Sequence, residues 1–288
     1  MSAIFNKKSI NCNGNLIDLT NPIVMGILNI TDDSFYKNSR YNTEKEIINR
    51  VNSIIKEGGK IIDIGAYSSR PGANYISEKE EYTRLTSALE IINKNFSELI
   101  ISVDTFRAEI AKKLYYNFNI SIVNDISAGE LDNKMFETIA EINIPYIIMH
   151  MKGTPQNMQI NPSYGNLMKE IFKYFADKIE KLKYLGVKDI IIDPGFGFGK
   201  TIDDNYKLMN ILDSFSIFGL PLLAGVSRKS MIYKYLNINP EDALNGTSVL
   251  NMIALQNGAS ILRVHDVKEA VEVIKIFEIL KRTKNDIS

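Results

Sequence analysis

Eight times along this chain a short apolar run ends on a polar residue, and between the runs the sequence takes up a helical period. The runs are Ile23–Leu28 ending on Asn29, Ile61–Ile62 on Asp63, Leu99–Val103 on Asp104, and Ser121–Val123 on Asn124 and Asp125. Next come Tyr146–Met149 ending on His150 and Ile190–Ile192 on Asp193; Leu222–Ala224 leads to Ser227-Arg228-Lys229, and Ile261–Val264 carries Arg263 and ends on His265. Ile47, Ile48, Val51, Ile54 and Ile55 share one helix face, as do Met168, Ile171, Phe172, Phe175, Ile179 and Leu182, and Val267, Ala270, Val271, Ile274 and Phe277. Unbroken apolar runs suit strands buried on both faces, and strands alternating with helices predict a parallel sheet. Eight such units predict an α/β protein of the (β/α)8 TIM-barrel type. The alternative, an open doubly wound sheet, does not require eight strands to end alike. In a barrel all the polar ends gather on one rim, where such folds place their chemistry. A helix cap explains one polar residue after one strand. It does not explain eight in succession.

A chain of 288 residues fits one barrel. Short apolar stretches around Asn13-Gly14 predict a β-hairpin segment over 1–20, ahead of a barrel domain over 21–288. Lys and Arg number 34 against 34 Asp and Glu, which leaves no basic footprint for nucleic acid or an anionic membrane, so any anion needs a local cluster. The lone Cys12 excludes a disulfide framework and a cysteine-rich zinc site. No apolar run reaches the ~18 residues of a membrane span, and the N-terminal residues lack the apolar stretch of a signal peptide. A cytoplasmic protein is expected.

The stretch Ile190–Thr201, I-I-I-D-P-G-F-G-F-G-K-T, concentrates the chemistry. A buried strand stops on Asp193, and Gly195, Gly197 and Gly199 let backbone come close to something. Phe196 and Phe198 supply flat apolar surface and Lys200 a positive charge, a set that suits a flat, nitrogen-rich ring. A capped glycine turn is the plainer alternative. The stretch is neither a P-loop, whose first glycine would fall on Pro194, nor a Rossmann fingerprint, because the spacing is G-x-G-x-G. Around the rim, Asp193, Asn124, Asp104 and Lys229 can read the edges of a fused heterocycle, with Phe198 or Met149 for its faces. Asn29, Ser69, Arg70, Arg263 and His265 make a cluster suited to a diphosphate. His265 has a core role as its alternative, and His150, between Met149 and Met151, is read as structural. Hydrolytic zinc would need two or three His or Cys ligands. A diphosphate beside the amide oxygen of Asn29 would rather recruit Mg²⁺. Three loops are long, 31–40, 65–73 and 151–159, and the first two are read as lids.

The motifs M-G-I-L-N-I-T-D-D-S-F (25–35), D-I-G-A-Y-S-S-R-P-G-A (63–73), S-V-D-T (102–105), V-N-D-I-S-A-G (123–129), M-H-M-K-G-T-P (149–155), D-P-G-F-G-F-G-K (193–200), S-R-K-S (227–230) and R-V-H-D-V (263–267) resemble dihydropteroate synthases in order and position from about residue 20 onward. The resemblance implies an enzyme that joins 6-hydroxymethyl-7,8-dihydropterin diphosphate to p-aminobenzoate with loss of pyrophosphate. It implies a sulfonamide-binding homodimer of folate synthesis that uses Mg²⁺. Carried over, Asp193, Asn124 and Lys229 would hold the pterin, with Asp104, Ile126, Met149 and Phe198 around it. Asn29, Ser69, Arg70, Arg263 and His265 would hold the diphosphate, with Mg²⁺ near Asn29. Phe35, Pro71, Lys229 and Ser230 would shape the p-aminobenzoate pocket. Asp104, Lys229, Asp33 and Arg70 would carry the catalytic step, Asp33 from a closing loop. One position departs: the proline usual in the first loop is here Asp32. Cobalamin-dependent methyltransferases share the pterin barrel but have no use for the diphosphate cluster or the S-R-K-S turn, and a non-catalytic pterin binder would lack the loop residues.

Overall fold

Inward-facing residues explain the architecture best. The computed structural model describes residues 7–30, 40–67 and 75–285, with backbone alone at 40–43, 284 and 285. The strands among these residues are β1 (Ser9–Cys12), β2 (Asn15–Asp18), β3 (Ile23–Asn29), β4 (Ile61–Gly65), β5 (Ile101–Asp104), β6 (Ile122–Asp125), β7 (Tyr146–Met149), β8 (Ile190–Asp193), β9 (Leu223–Ala224) and β10 (Ile261–Val264). Strands β3 to β10 form one parallel sheet in the order β8-β7-β6-β5-β4-β3-β10-β9. A parallel bridge between Ile192 and Leu222 joins its two ends, and the Ile192 N–H donates to the Pro221 carbonyl at 2.9 Å. The eight-stranded barrel expected from the sequence is therefore present.

Side chains alternate across each strand. Val24, Leu28, Ile62, Ile64, Ile101, Val103, Val123, Ile148 and Ile192 face outward into the main core shared with the helices. Met25, Ile61, Ile122, Ile147, Ile191, Leu223 and Ile261 face inward and form an apolar layer near the N-terminal ends of the strands. Two residues further along the same strands the inward side chains are Asp63, Asn124, Met149, Asp193 and Arg263. The barrel is thus dry at one end and polar at the other.

The N-terminal hairpin plugs the dry end. Asn13 and Gly14 take positive φ angles of 52° and 88°, as a type I′ turn requires. The turn pairs Cys12 with Asn15 and Ser9 with Asp18. Ile10, Cys12 and Leu19 then pack on the inward apolar layer. The Asn13 amide donates to the carbonyls of Asn119 and Ile120, and Lys7 pairs with Asp189 at 2.6 Å. Burial raises the Cys12 thiol to about 12, so it acts as a small apolar residue.

The helical faces hold with two adjustments. Ile47, Val51 and Ile54 are buried but Ile55, about 100° further round the helix, is exposed. Met168, in the first turn of the helix Leu167–Tyr184, is also exposed. Among the described residues no helix is long and apolar enough to cross a membrane.

Candidate active site

The register of the strands sets the polar rim. Asn29 aligns with Gly65, Gly65 with Asp104, and Asp104 with Asn124, while Met149 aligns with Asp193 on the facing wall. One cavity at this end is lined by Asp104, Asn124, Ile126, Met149, Asp193, Phe198, Gly225, Lys229 and Arg263. All seven residues expected around a pterin therefore line a single cavity. Arg263, assigned from the sequence to the diphosphate, lines it with them.

Charge in the cavity is paired tightly. Arg263 donates through Nε to Asp63 at 2.6 Å and through Nη2 to Asp104 at 2.9 Å. Although burial works against its charge, the carboxylates of Asp63 and Asp104 hold its proton more firmly than usual. Asp104 is pushed above the ordinary carboxylate range by burial, against the pull of Arg263. Asp193 is also raised by burial, against Lys229 and the Gly195 N–H, which donates to its Oδ1 at 2.8 Å. Lys229 is brought down to about 8, first by burial, with Asp193 opposing and Arg263 adding to the fall. Its ammonium donates to the Phe196 carbonyl at 2.5 Å and sits 4.9 Å from the Phe198 ring centroid. A carboxylate, an amide and a lysine thus stand around an aromatic wall, which can bind a polar heteroaromatic ring at its edges and on a face.

Lys229 is aimed by its neighbours. Arg228 takes a left-handed φ of 52° and forms a two-point pair with Asp266, both bonds at 2.9 Å. Its N–H donates to Thr247 Oγ1 at 3.0 Å. The turn is fixed from both sides, and Lys229 follows it immediately before the helix Ser230–Leu236.

The D-P-G-F-G-F-G-K turn divides its labour differently from the sequence expectation. Phe198 lines the cavity, but Phe196 is fully buried in the outer core. Lys200 is also buried, donating to the carbonyls of Gly195 at 2.8 Å, Phe198 at 3.1 Å and His150 at 3.3 Å. Its ammonium meets His150 Nδ1 at 3.0 Å. Burial, and then the nearby Lys200, bring His150 down to about 2, so it stays a neutral structural residue, as expected. Lys200 stitches the turn to the segment after β7 and does not line the cavity. Gly195 explains the closeness: its φ is 73°, and a Cβ there would fall onto the His150 carbonyl oxygen. Gly195→Ala should cost about 1–3 kcal/mol for the overpacking alone, with the left-handed φ adding to it. Chemical unfolding measures this; a loss below ~0.5 kcal/mol would mean the two segments part easily.

The remaining expected residues fall into two groups. Asn29 is exposed at the rim, and its Oδ1 and the Asp104 carboxylate both lie beside Gly65, within 3.8 and 3.7 Å of where a Cβ would stand. His265 is half-buried; its N–H donates to Ser227 Oγ and its carbonyl accepts from Arg50. Ser230 is half-buried at the start of its helix. Asp33, Phe35, Ser69, Arg70, Pro71 and the unusual Asp32 lie outside the described residues. The sequence reading missed Gly225 on the cavity wall and the role of Asp63. Asp63 is not the end of its strand but an inward mid-strand residue, fully buried. Its signal was available: it stands two places after Ile61, on the same face.

The description "pterin binding enzyme" belongs to the family model that matches residues 25–265, a range that includes every residue of the cavity. The fold and site therefore define a pterin-binding barrel. Dihydropteroate synthase of Escherichia coli K12 is 40% identical over 92% of this chain and 94% of its own length. The structure of Yersinia pestis dihydropteroate synthase in complex with a sulfonamide drug aligns at a TM-score of 0.88 with 37% identity, covering 95% of this chain and 99% of that one. That of the Xanthomonas albilineans enzyme with 4-aminobenzoic acid gives 0.86 at 30% identity, covering 95% and 98%. The chain belongs to the dihydropteroate synthase family.

Proposed function

We propose that this protein condenses 6-hydroxymethyl-7,8-dihydropterin diphosphate with p-aminobenzoate, releasing pyrophosphate and forming 7,8-dihydropteroate for folate synthesis. One observation carries the proposal: Asp193, Asn124 and Lys229 converge with Phe198 and Met149 on one cavity that Arg263 also lines. Relatives of near-equal length are named for this activity, and the Yersinia pestis structure contains a sulfonamide drug.

In the proposed reaction the amine nitrogen of p-aminobenzoate forms a bond to the pterin methylene. The C–O bond to the diphosphate breaks, its electron pair leaves with pyrophosphate, and the amine proton passes to solvent. Asp193 and Asn124 accept from the N–H groups of the ring edge, and Lys229 donates to its carbonyl. Asp104 stands where its negative charge stabilises positive charge on the pterin, and Arg263 and His265 favour the departing anion. Ser69 and Arg70 are assigned to the anion site, Asp33 to a closing loop, and Phe35, Pro71, Lys229 and Ser230 to the p-aminobenzoate pocket. No covalent nucleophile is needed.

Mg²⁺ fits the donors at hand. Asn29 offers an exposed hard oxygen beside Asp104, and among the described residues no group of three His, Cys, Asp or Glu converges as a metal site. Such a place suits an ion that takes most of its ligands from diphosphate and water, and it would there neutralise the leaving group. A homodimer in the cytoplasm completes the proposal; its support is the exposed Tyr235, Leu236, Val249, Ile276, Ile279 and Leu280 on the last helices.

The test is pyrophosphate release from the pterin diphosphate. It should depend on p-aminobenzoate and be blocked by a sulfonamide. Methyl transfer to cobalamin, or pterin binding without turnover, would replace this proposal with one of its competitors.

A further inference from the structure

We infer that Asp63 is a positioning residue, which sets the direction of the Asn124 amide and the plane of the Arg263 guanidinium. This rests on the function proposed above. Asp63 has no exposed surface and lies below the cavity, so it does not touch substrate. Three strands reach it. Its Oδ2 accepts from Arg263 Nε at 2.6 Å and from Asn124 Nδ2 at 3.1 Å, and its Oδ1 accepts from Ser102 Oγ at 2.6 Å.

A carboxylate only accepts, so the nitrogen end of the Asn124 amide must face Asp63 and the oxygen end is turned away from it. Asn124 lines the cavity, and its remaining acceptor is thereby committed to N–H groups of the ring. Without Asp63 the amide could rotate and offer a donor where an acceptor is needed. Arg263 is fixed by the same group. With Nε on Asp63 and Nη2 on Asp104, two bonds set the plane of a rigid fork. Asp63 thus ties one residue that reads the pterin to one that faces the diphosphate.

The test compares two substitutions by calorimetry with the pterin alcohol and with inorganic pyrophosphate. Asp63→Ala should weaken pterin binding by more than about tenfold. Asp63→Asn should stay within about threefold, because its carbonyl oxygen can replace Oδ2 while the Ser102 hydroxyl turns to accept from the new NH₂. In an Asn124→Ala background, Asp63→Ala should add less than about threefold to the loss of pterin binding, since the group it orients is gone. Equal losses for the Ala and Asn variants, or losses that multiply in the double variant, overturn the inference. Thermal unfolding reports whether each variant folds. Should Asp63→Ala not fold, the side-chain amide protons of Asn124 in the unaltered protein decide by NMR. Slow exchange with solvent is expected; exchange at the rate of a surface amide overturns the inference. An unaltered protein that binds no pterin sinks the proposed function instead, and the amide exchange still decides the role of Asp63.

Discussion

Arg107→Met is expected to destabilise the protein by about 3–5 kcal/mol, read as a lower denaturant midpoint. Its partner Glu81 has no exposed surface, and its carboxylate accepts from Arg107 Nη1 and from Thr105 Oγ1, the latter at 2.6 Å. Arg107 also donates to the Ile76 carbonyl at 2.7 Å, and the rings of Phe106, Tyr75 and Tyr67 lie 5.1, 5.4 and 5.9 Å from it. Methionine fills much of that space but leaves Glu81 with one hydroxyl for company. Burial already raises the Glu81 pKa against the pull of Thr105 and Arg107, and losing Arg107 raises it further.

The pH dependence follows with a definite sign. Between the ordinary glutamate value and the raised folded one, the folded variant holds a proton that the unfolded chain does not. Its stability should therefore fall as pH rises through that window and recover in part as pH is lowered again. A small loss with no pH dependence would mean that Glu81 finds another partner. The pair matters to the site because Thr105 directly follows Asp104, so the cavity wall hangs on a scaffold one residue away.

Much of this was legible because barrel strands repeat one rule. Apolar runs of the right length and helical faces between them specify the architecture, and the polar end of each run specifies the rim. Asp193, Asn124 and Asp104 were placed by that rule alone. Depth along a strand was not legible in the same way. Asp63 interrupts its run as the others do, yet β4 continues to Gly65, so the carboxylate lies one layer lower and serves the site from beneath. Lys200 illustrates a second limit. A lysine after a glycine turn reads as a rim charge, but Gly195 lets the turn settle so close to His150 that the ammonium is enclosed by carbonyls. The pairing of Glu81 with Arg107 joins a helix to a loop 26 residues on, and nothing local in either segment announces it.

Asp193→Asn should weaken binding of the pterin by well over tenfold. The unaltered carboxylate has two acceptor oxygens. Oδ1 takes the Gly195 N–H at 2.8 Å, and the group lines the same cavity as Asn124. Asparagine cannot satisfy both sides. If its oxygen stays with Gly195, its NH₂ points at the N–H groups of the ring; if it turns over, the Gly195 N–H faces a donor instead. Each mismatch is a buried polar group without a partner, about 1–3 kcal/mol, and every ~1.4 kcal/mol is tenfold in affinity. Lys229 also loses the charge that opposes the fall in its own pKa, so less of it carries the ammonium that donates to the ring carbonyl. Because burial raises the Asp193 pKa, acidification should mimic the substitution in the unaltered protein. Pterin affinity should fall as pH drops through the raised value, and the Asn variant should show a weaker fall. Calorimetry across that range, with circular dichroism to establish folding, makes the comparison. An Asp193→Asn protein that binds the pterin as the parent does would remove this carboxylate from the site.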